Sequence, residues 1–199
     1  MNLSLSHSLK RRKPRHSLAV RVLHWLYAPA VLASIFSGFY IHKPNKNYGF
    51  KNMNSARKTH FIAQFMLIFA FLARVYYALQ KKNYKEILLN RQTIKHLPRF
   101  IKYELFLTAK KPQFPKYNPG QKLLFTALAL FLPLQILTGL ALYNKELGQV
   151  AIRIFKGLNY LRRLHFFSAV GNTILVIGHL YFVFTQGFKS LKSIFTGYK

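Results

Sequence analysis

LHFFSAVGNTILVIGHLYFVFTQGF, residues 164–188, runs its whole length without a Lys, Arg, Asp or Glu. A helix needs about 20 apolar residues to cross a hydrocarbon core, so this stretch is long enough to span a membrane. It is not a plain Leu run, because His, Ser, Thr and Gln are threaded through it. Spans of that kind turn one side toward the interior of a bundle. His165 and His179 both lie in it. Their spacing is about four helical turns, which puts both on one face, about 21 Å apart along the axis.

Three further stretches have the same character: AVRVLHWLYAPAVLASIFSGFYI (19–41), HFIAQFMLIFAFLARVYYAL (60–79) and QKLLFTALALFLPLQILTGLALY (121–143). With 164–188 they predict an all-α integral membrane protein, an up-down bundle of four helices forming a single domain over 1–199. The first stretch follows Lys10, Arg11, Arg12, Lys13 and Arg15, which resembles the basic start of a signal peptide. Its apolar part exceeds the 7–15 residues of such a peptide, and it lacks a small-residue exit, so it reads as a retained span.

Composition narrows the chemistry. The 199 residues carry 31 Lys+Arg against three acids, Glu86, Glu104 and Glu146, for a formal charge of +28, and there is no Cys. Three scattered carboxylates cannot build an oxygen cage for a metal or a typical pair of catalytic acids. Absence of Cys excludes thiolate iron–sulfur clusters, a CxxCH haem attachment, disulfides and a Cys nucleophile. Histidine, eight in number, is left as the redox or metal ligand. Such a charge often signals nucleic acid. Here 51% of residues are hydrophobic, and four spans would bury the aromatics that stacking on bases needs, so nucleic acid is not expected as a partner.

The charge reports topology instead. Counting residues at span edges, 20 of the cations fall in the termini and the 80–120 linker, 10 in the other two loops, and Arg74 lies within a span. This asymmetry places both termini in the cytoplasm. Within the linker Ile87, Leu88, Ile94, Leu97, Ile101 and Leu105 recur at near-helical spacing among basic residues, interrupted by Pro98. The pattern predicts amphipathic helix on the anionic lipid of the inner leaflet; a solvated basic loop is the plainer alternative.

His7, His16, His42 and His96 fall in tails or loops and need no special account. His24, His60, His165 and His179 are different, since an imidazole at membrane depth is costly unless paired or ligating. In an up-down bundle His24 and His179 share a depth near the inner face, while His60 and His165, each opening its span, share one near the outer face. Two His–His pairs at two depths are what two six-coordinate haems require, and a filled axial position leaves electron transfer as the job. The rival reading is a haem-free membrane anchor whose polar residues only bind helices together.

Cations stand where haem propionates would want them: Arg21 before His24, Arg57 and Lys58 before His60, Arg162 and Arg163 before His165, and Arg74 on the His60 face at inner depth. Arg74 can equally be read as snorkelling to the inner interface, and the others as ordinary flanking charges. Gly38, Gly139, Gly171 and Gly178 suit close helix packing as well as a macrocycle. KYNPGQK (116–122) opens the third span, with Asn118 as an N-cap and Pro119 at the first helical position. A cap does not call for Tyr117 or Gln121, so the cluster at this depth is also a candidate for hydrogen bonding a quinone.

These residues resemble the bacterial di-haem membrane cytochromes b, above all the gamma subunit of respiratory formate dehydrogenase, with nickel–iron hydrogenase and thiosulfate reductase cytochromes as relatives. The resemblance rests on RVLHW (21–25), His60, KYNPGQK followed by LTG (137–139), and RRLH (162–165) with HLY (179–181) beyond it. It implies two b haems, on His24/His179 and His60/His165, and a menaquinone site lined by Asn118, Gly120 and Gln121. The family's segment usually has Ala where Pro119 stands. It also implies an inner-membrane subunit, without substrate turnover of its own beyond quinone reduction, whose partners are an iron–sulfur subunit and a molybdenum, tungsten or Ni/Fe catalytic subunit. Ligands do not fix direction, so a quinol-oxidising version serving a reductase stays open.

Overall fold

Three of the four long helices start at a side-chain cap, and the fourth follows a glycine at φ 127°. In the computed structural model, which describes residues 14–46, 48–110, 112–185 and 187–198, α1 (Leu18–His42) begins as Ser17 Oγ accepts from Val20 N–H. Next come α2 (Met53–Gln80), capped by Asn52, the short α3 (Tyr84–Ile87), and α4 (Arg91–Glu104), capped by Asn90. Then follow α5 (Pro119–Tyr143), capped by Asn118, α6 (Lys145–Ile154), α7 (Leu158–Thr185) and α8 (Phe188–Thr196). Among the described residues there is no strand. Lys10 to Lys13 and His7, which entered the sequence reading, lie outside the described residues.

Helices α1, α2, α5 and α7 are each long and apolar enough to cross a membrane. Their side chains are arranged inside out relative to a water-soluble bundle. Small and polar residues are buried: Ala56, Ala63, Ala70, Ser37, Thr138, Ser168 and Asn172. Large apolar ones face outward, among them Ile62, Phe69, Leu130, Leu137, Ile174 and Phe184. Lipid offers no hydrophobic penalty to the second group, while small residues let helices approach.

The spans pack as two hairpins, α1 with α2 and α5 with α7, and these make little close backbone contact with each other. Side chains bridge them, and that is where the histidines lie. Both described termini meet at one end, here the terminal end: Arg15 and His16 N–H groups donate to the Gly197 carbonyl at 2.7 and 3.3 Å. Gly197 sits at φ 88°, a left-handed cap that ends α8. The α1–α2 and α5–α7 turns mark the far end.

Several expectations need correction. α2 and α7 begin well before His60 and His165, at Met53 and Leu158, because polar and basic residues continue the helix beyond the apolar stretch. The fourth span stops at Thr185, not 188, since Gly187 turns at φ 84° before α8. Pro98 does not break the linker pattern; α4 runs through it. Proline costs one bond and crowds the preceding turn, and at this exposed position the freed carbonyl can turn outward. Ile94, Ile101 and Leu105 form an exposed apolar stripe on α4, while Phe100 is buried against Phe182 and Phe114. His96 lies in α4 rather than a loop, and His42 ends α1 with its ring stacked on Phe166 at 3.9 Å.

Candidate functional site

Helix α7 carries one histidine of each pair and meets a different partner helix at each depth. At the terminal end the His24 ring of α1 lies 6.2 Å from the His179 ring, centroid to centroid. Trp25 stands edge-on to His24 at 5.2 Å, Phe125 lies 6.3 Å from His179, and Phe195 of α8 packs on Trp25 at 4.6 Å. The Nδ1 of His24 is buried without a partner. At the far end the His60 ring of α2 lies 6.5 Å from that of His165.

The far-end imidazoles are held by hydroxyls. Ser37 Oγ donates to Ala33 C=O at 2.5 Å, so its oxygen is left to accept from His60 Nδ1 at 2.9 Å. Thr138 Oγ1 donates to Leu134 C=O at 2.8 Å and accepts from His165 Nδ1 at 2.9 Å. An amide fixes the same tautomer a second way. Ser168 Oγ donates to Gln135 Oε1, which orients the Gln135 NH₂ toward His165 Nε2 at 3.1 Å. Nε2 therefore carries the lone pair, with the proton on Nδ1, the tautomer in which an imidazole ligates a metal. In this structure the Gln135 amide occupies that lone pair and would have to turn away before a metal could take it.

Two nitrogens do not hold a metal alone, and among the described residues no three His, Asp or Glu side chains converge on one point. A macrocycle that brings its own ring ligands fills that deficit. Two imidazoles on opposite sides of one metal, each bonded at about 2 Å, have ring centroids roughly 6 Å apart, the spacing of both pairs here. Glycines flank the far-end rings. A Cβ on Gly38 would lie 3.3 Å from His60 Cε1, and one on Gly139 would lie 3.2 Å from His165 Cε1 and 2.5 Å from Gln64 Nε2. The residues present fit a haem at both depths.

The candidate propionate partners divide. Arg57, Arg162 and Arg163 are exposed, as is Lys58, and Arg163 covers the Tyr160 ring at 4.3 Å. Arg21 donates to the Phe195 carbonyl at 2.5 Å, and its Nε is buried without a partner. Arg74 reaches toward the terminal end, donating to Asn83 Oδ1 at 3.4 Å across the Tyr77 ring, the direction snorkelling predicts. Arg15, not assigned from sequence, donates to the Lys116 carbonyl at 2.5 Å, and its Nε is also buried and unpartnered. Between these cations His16 is held at about 4 by burial, then by Lys116, Arg15, His24 and Arg21. The terminal end is thus crowded with positive charge that an anion would relieve.

The 116–122 segment has a firmer structural role than its sequence implied. Asn118 Oδ1 accepts from Gln121 N–H at 2.7 Å, and Gln121 Oε1 accepts from Asn118 N–H at 3.0 Å. Gln121 is therefore half of a capping box, and the cap does use it. Gly120 is buried where a Cβ would come within 2.7 Å of Phe100 and Phe182, so close packing accounts for it. What the cap leaves over is Asn118 Nδ2, buried without a partner. Burial raises the Tyr117 phenol above its ordinary range. Tyr117 packs on Phe125 at 5.4 Å, and Phe125 in turn lies 6.3 Å from His179, so the segment sits one ring away from the terminal-end pair.

Sequence reasoning missed Ser37, Thr138 and Gln135. Thr138 lies inside the LTG motif already singled out, but nothing in the linear order ties it to His165 on another helix.

Known proteins resemble this chain over most of its length. The probable Ni/Fe-hydrogenase B-type cytochrome subunit of Bradyrhizobium diazoefficiens is 26% identical over 140 residues, 65% of this chain and 57% of that protein. The proteins of the same description from Azotobacter chroococcum and Rhodobacter capsulatus are 28% identical over 141 residues and 26% over 176. Those alignments cover 65% and 79% of this chain and 59% and 67% of the relatives. The chain thus spans about three fifths of the length of most of the curated relatives it matches. The family described as prokaryotic cytochrome b561 matches residues 15–197, and the chain belongs to it. Membership makes it a multi-pass membrane cytochrome and implies b-type haem.

Proposed function

We propose that this member of the prokaryotic cytochrome b561 family is the membrane electron-transfer subunit of a respiratory complex. It holds two b haems, one between His24 and His179 and one between His60 and His165, and reduces menaquinone at its terminal end. The observation that supports this reading is the pair of histidine pairs sharing α7, with centroids 6.2 and 6.5 Å apart. Along that helix the two pairs are separated by about four turns. Haem b, when bound, would supply one-electron chemistry, with these four histidines as the residues that would hold it.

The chain's own residues do the rest. Ser37 and Thr138 keep protons on Nδ1 of His60 and His165, which leaves Nε2 as the ligating atom of each, that of His165 once the Gln135 amide turns aside. Arg15, Arg21 and Arg74 offer positive charge to propionates at the terminal end. Asn118 Nδ2 and Tyr117 offer donors to a quinone carbonyl beside the same pair. The basic linker, with α4 laid on anionic lipid, keeps that end at the cytoplasmic face, where protons for the quinone are drawn. An iron–sulfur subunit docks at the far end and connects to a catalytic subunit.

Two identities for that catalytic subunit have support. The relatives' names favour a Ni/Fe hydrogenase, while RVLHW and KYNPGQK resemble the formate dehydrogenase branch, whose catalytic subunit carries molybdenum or tungsten. Native membranes under anaerobic conditions separate them. Reduction of the b-haem absorption bands by hydrogen identifies the first and by formate the second. Bands that respond only to added quinol would overturn the quinone-reducing direction in favour of the reverse.

A further inference from the structure

The far-end and terminal-end imidazoles differ in what their Nδ1 atoms touch, and that difference has a redox consequence. His60 and His165 each give the Nδ1 proton to a hydroxyl oxygen at 2.9 Å, and the His60 ring also meets the Ser34 backbone, so Thr138 is the cleaner of the two partners. Neither hydroxyl can reverse the bond, since both spend their own protons on helix carbonyls, Ala33 and Leu134. Both are buried, Ser37 at 0% and Thr138 at 3% exposure, so water does not compete. At the terminal end, by contrast, His24 Nδ1 is buried with no partner, and the rings beside His179 are His24 and Phe125.

A hydrogen-bond acceptor on Nδ1–H makes an imidazole more electron-rich, which favours the oxidised state of a metal on Nε2. We propose that Ser37 and Thr138 are positioning residues that lower the reduction potential of the far-end haem relative to the terminal-end one, giving the pair a downhill direction toward the terminal end. This rests on the di-haem reading above and assigns its direction to two hydroxyls on α1 and α5. One electron is accepted and released at each site, with no proton leaving Nδ1.

The test is a potentiometric titration of the b-haem bands in the full-length protein in membranes. His60→Ala first identifies the terminal-end component as the one that survives. In the Ser37→Ala, Thr138→Val double variant, the far-end component should move to a more positive potential while the other stays in place. Outer-shell partners of this kind change metal affinity by about tenfold or more; a tenfold change in the oxidised-to-reduced ratio corresponds to about 59 mV for one electron. Thr138→Ser, which keeps the hydroxyl, should leave both components unmoved, which a mere packing role for the Thr methyl would not predict. If the double variant loses haem, single Thr138→Val carries the test, with a smaller shift of the same sign. Two b haems whose potentials ignore these changes, or a shift confined to the terminal-end component, would overturn the inference while leaving the di-haem reading intact. A wild-type chain with fewer than two b haems would overturn that reading first.

Discussion

His60 and His165 at the far end and His24 and His179 at the terminal end share nearly one spacing, 6.5 and 6.2 Å between ring centroids, in very different surroundings. The far-end rings are fixed by Ser37, Thr138 and the Gln135 amide, with Gly38 and Gly139 alongside. The terminal-end rings are flanked by Trp25 and Phe125, and beneath Trp25 lies Phe195 of α8. Around them stand Arg15, Arg21 and Lys116, the cations that depress His16. One residue type at two depths is thus given two electrostatic settings. On the proposed reading, acceptors on Nδ1 would favour an oxidised metal at the far end, and nearby cations would favour a reduced one at the terminal end. Both differences slope the same way.

The comparison breaks most sharply if the pairs are not independent. His165→Ala and His179→Ala should each take haem content from two per chain to one, removing different spectral components. Loss of both haems from either variant would make the pairs one cooperative site. Next in size, Gly139→Val should empty the far end alone, since its side chain would enter the space beside His165 and Gln64; a pyridine haemochrome ratio near one checks it, and a ratio near two contradicts it.

Asn118 sharpens the terminal side. Asn118→Asp keeps the oxygen that caps α5, and a carboxylate suits a helix N-terminus. It removes the Nδ2 donor, and loss of one such bond to a quinone should slow quinone reduction about tenfold, with both haems and Tm retained. The smallest effect belongs to the cap itself. Asn118→Ala should cost about 1 kcal/mol of stability, seen as a lower Tm, with haem content unchanged at both ends. An Asp variant that reduces quinone at the wild-type rate would reduce Asn118 to its cap role.

Much of this arrangement could be read from the chain. The interval between the two histidines of α7 and the alternating direction of four spans already pair His24 with His179 and His60 with His165 by depth, and the rings lie together in those pairs. Helix ends were harder, because Met53–Thr59 and Leu158–Arg163 are helical without being apolar. Length and hydropathy find the part of a helix inside lipid and no more. α6 and α8 escaped for the same reason, being short and amphipathic. Asn118 was legible as a cap, yet Gln121's reciprocal bond was not credited to it, although the spacing permits a capping box. Ser37 and Thr138 were out of reach. Each bonds a histidine on a neighbouring helix, and such a contact exists only once the hairpins are packed. Arg15 is similar, since its partners Lys116 and Tyr117 lie far along the chain, beyond two spans and the linker.

Central to all of this is bis-histidine ligation of two b haems in one four-span chain. It is tested most directly by purifying the full-length protein and counting haem per chain from its pyridine haemochrome, alongside the His165→Ala, His179→Ala double variant. The account predicts two b haems per wild-type chain and none in the double variant. A single haem in the wild type, or b-haem bands that survive loss of both α7 histidines, would contradict it.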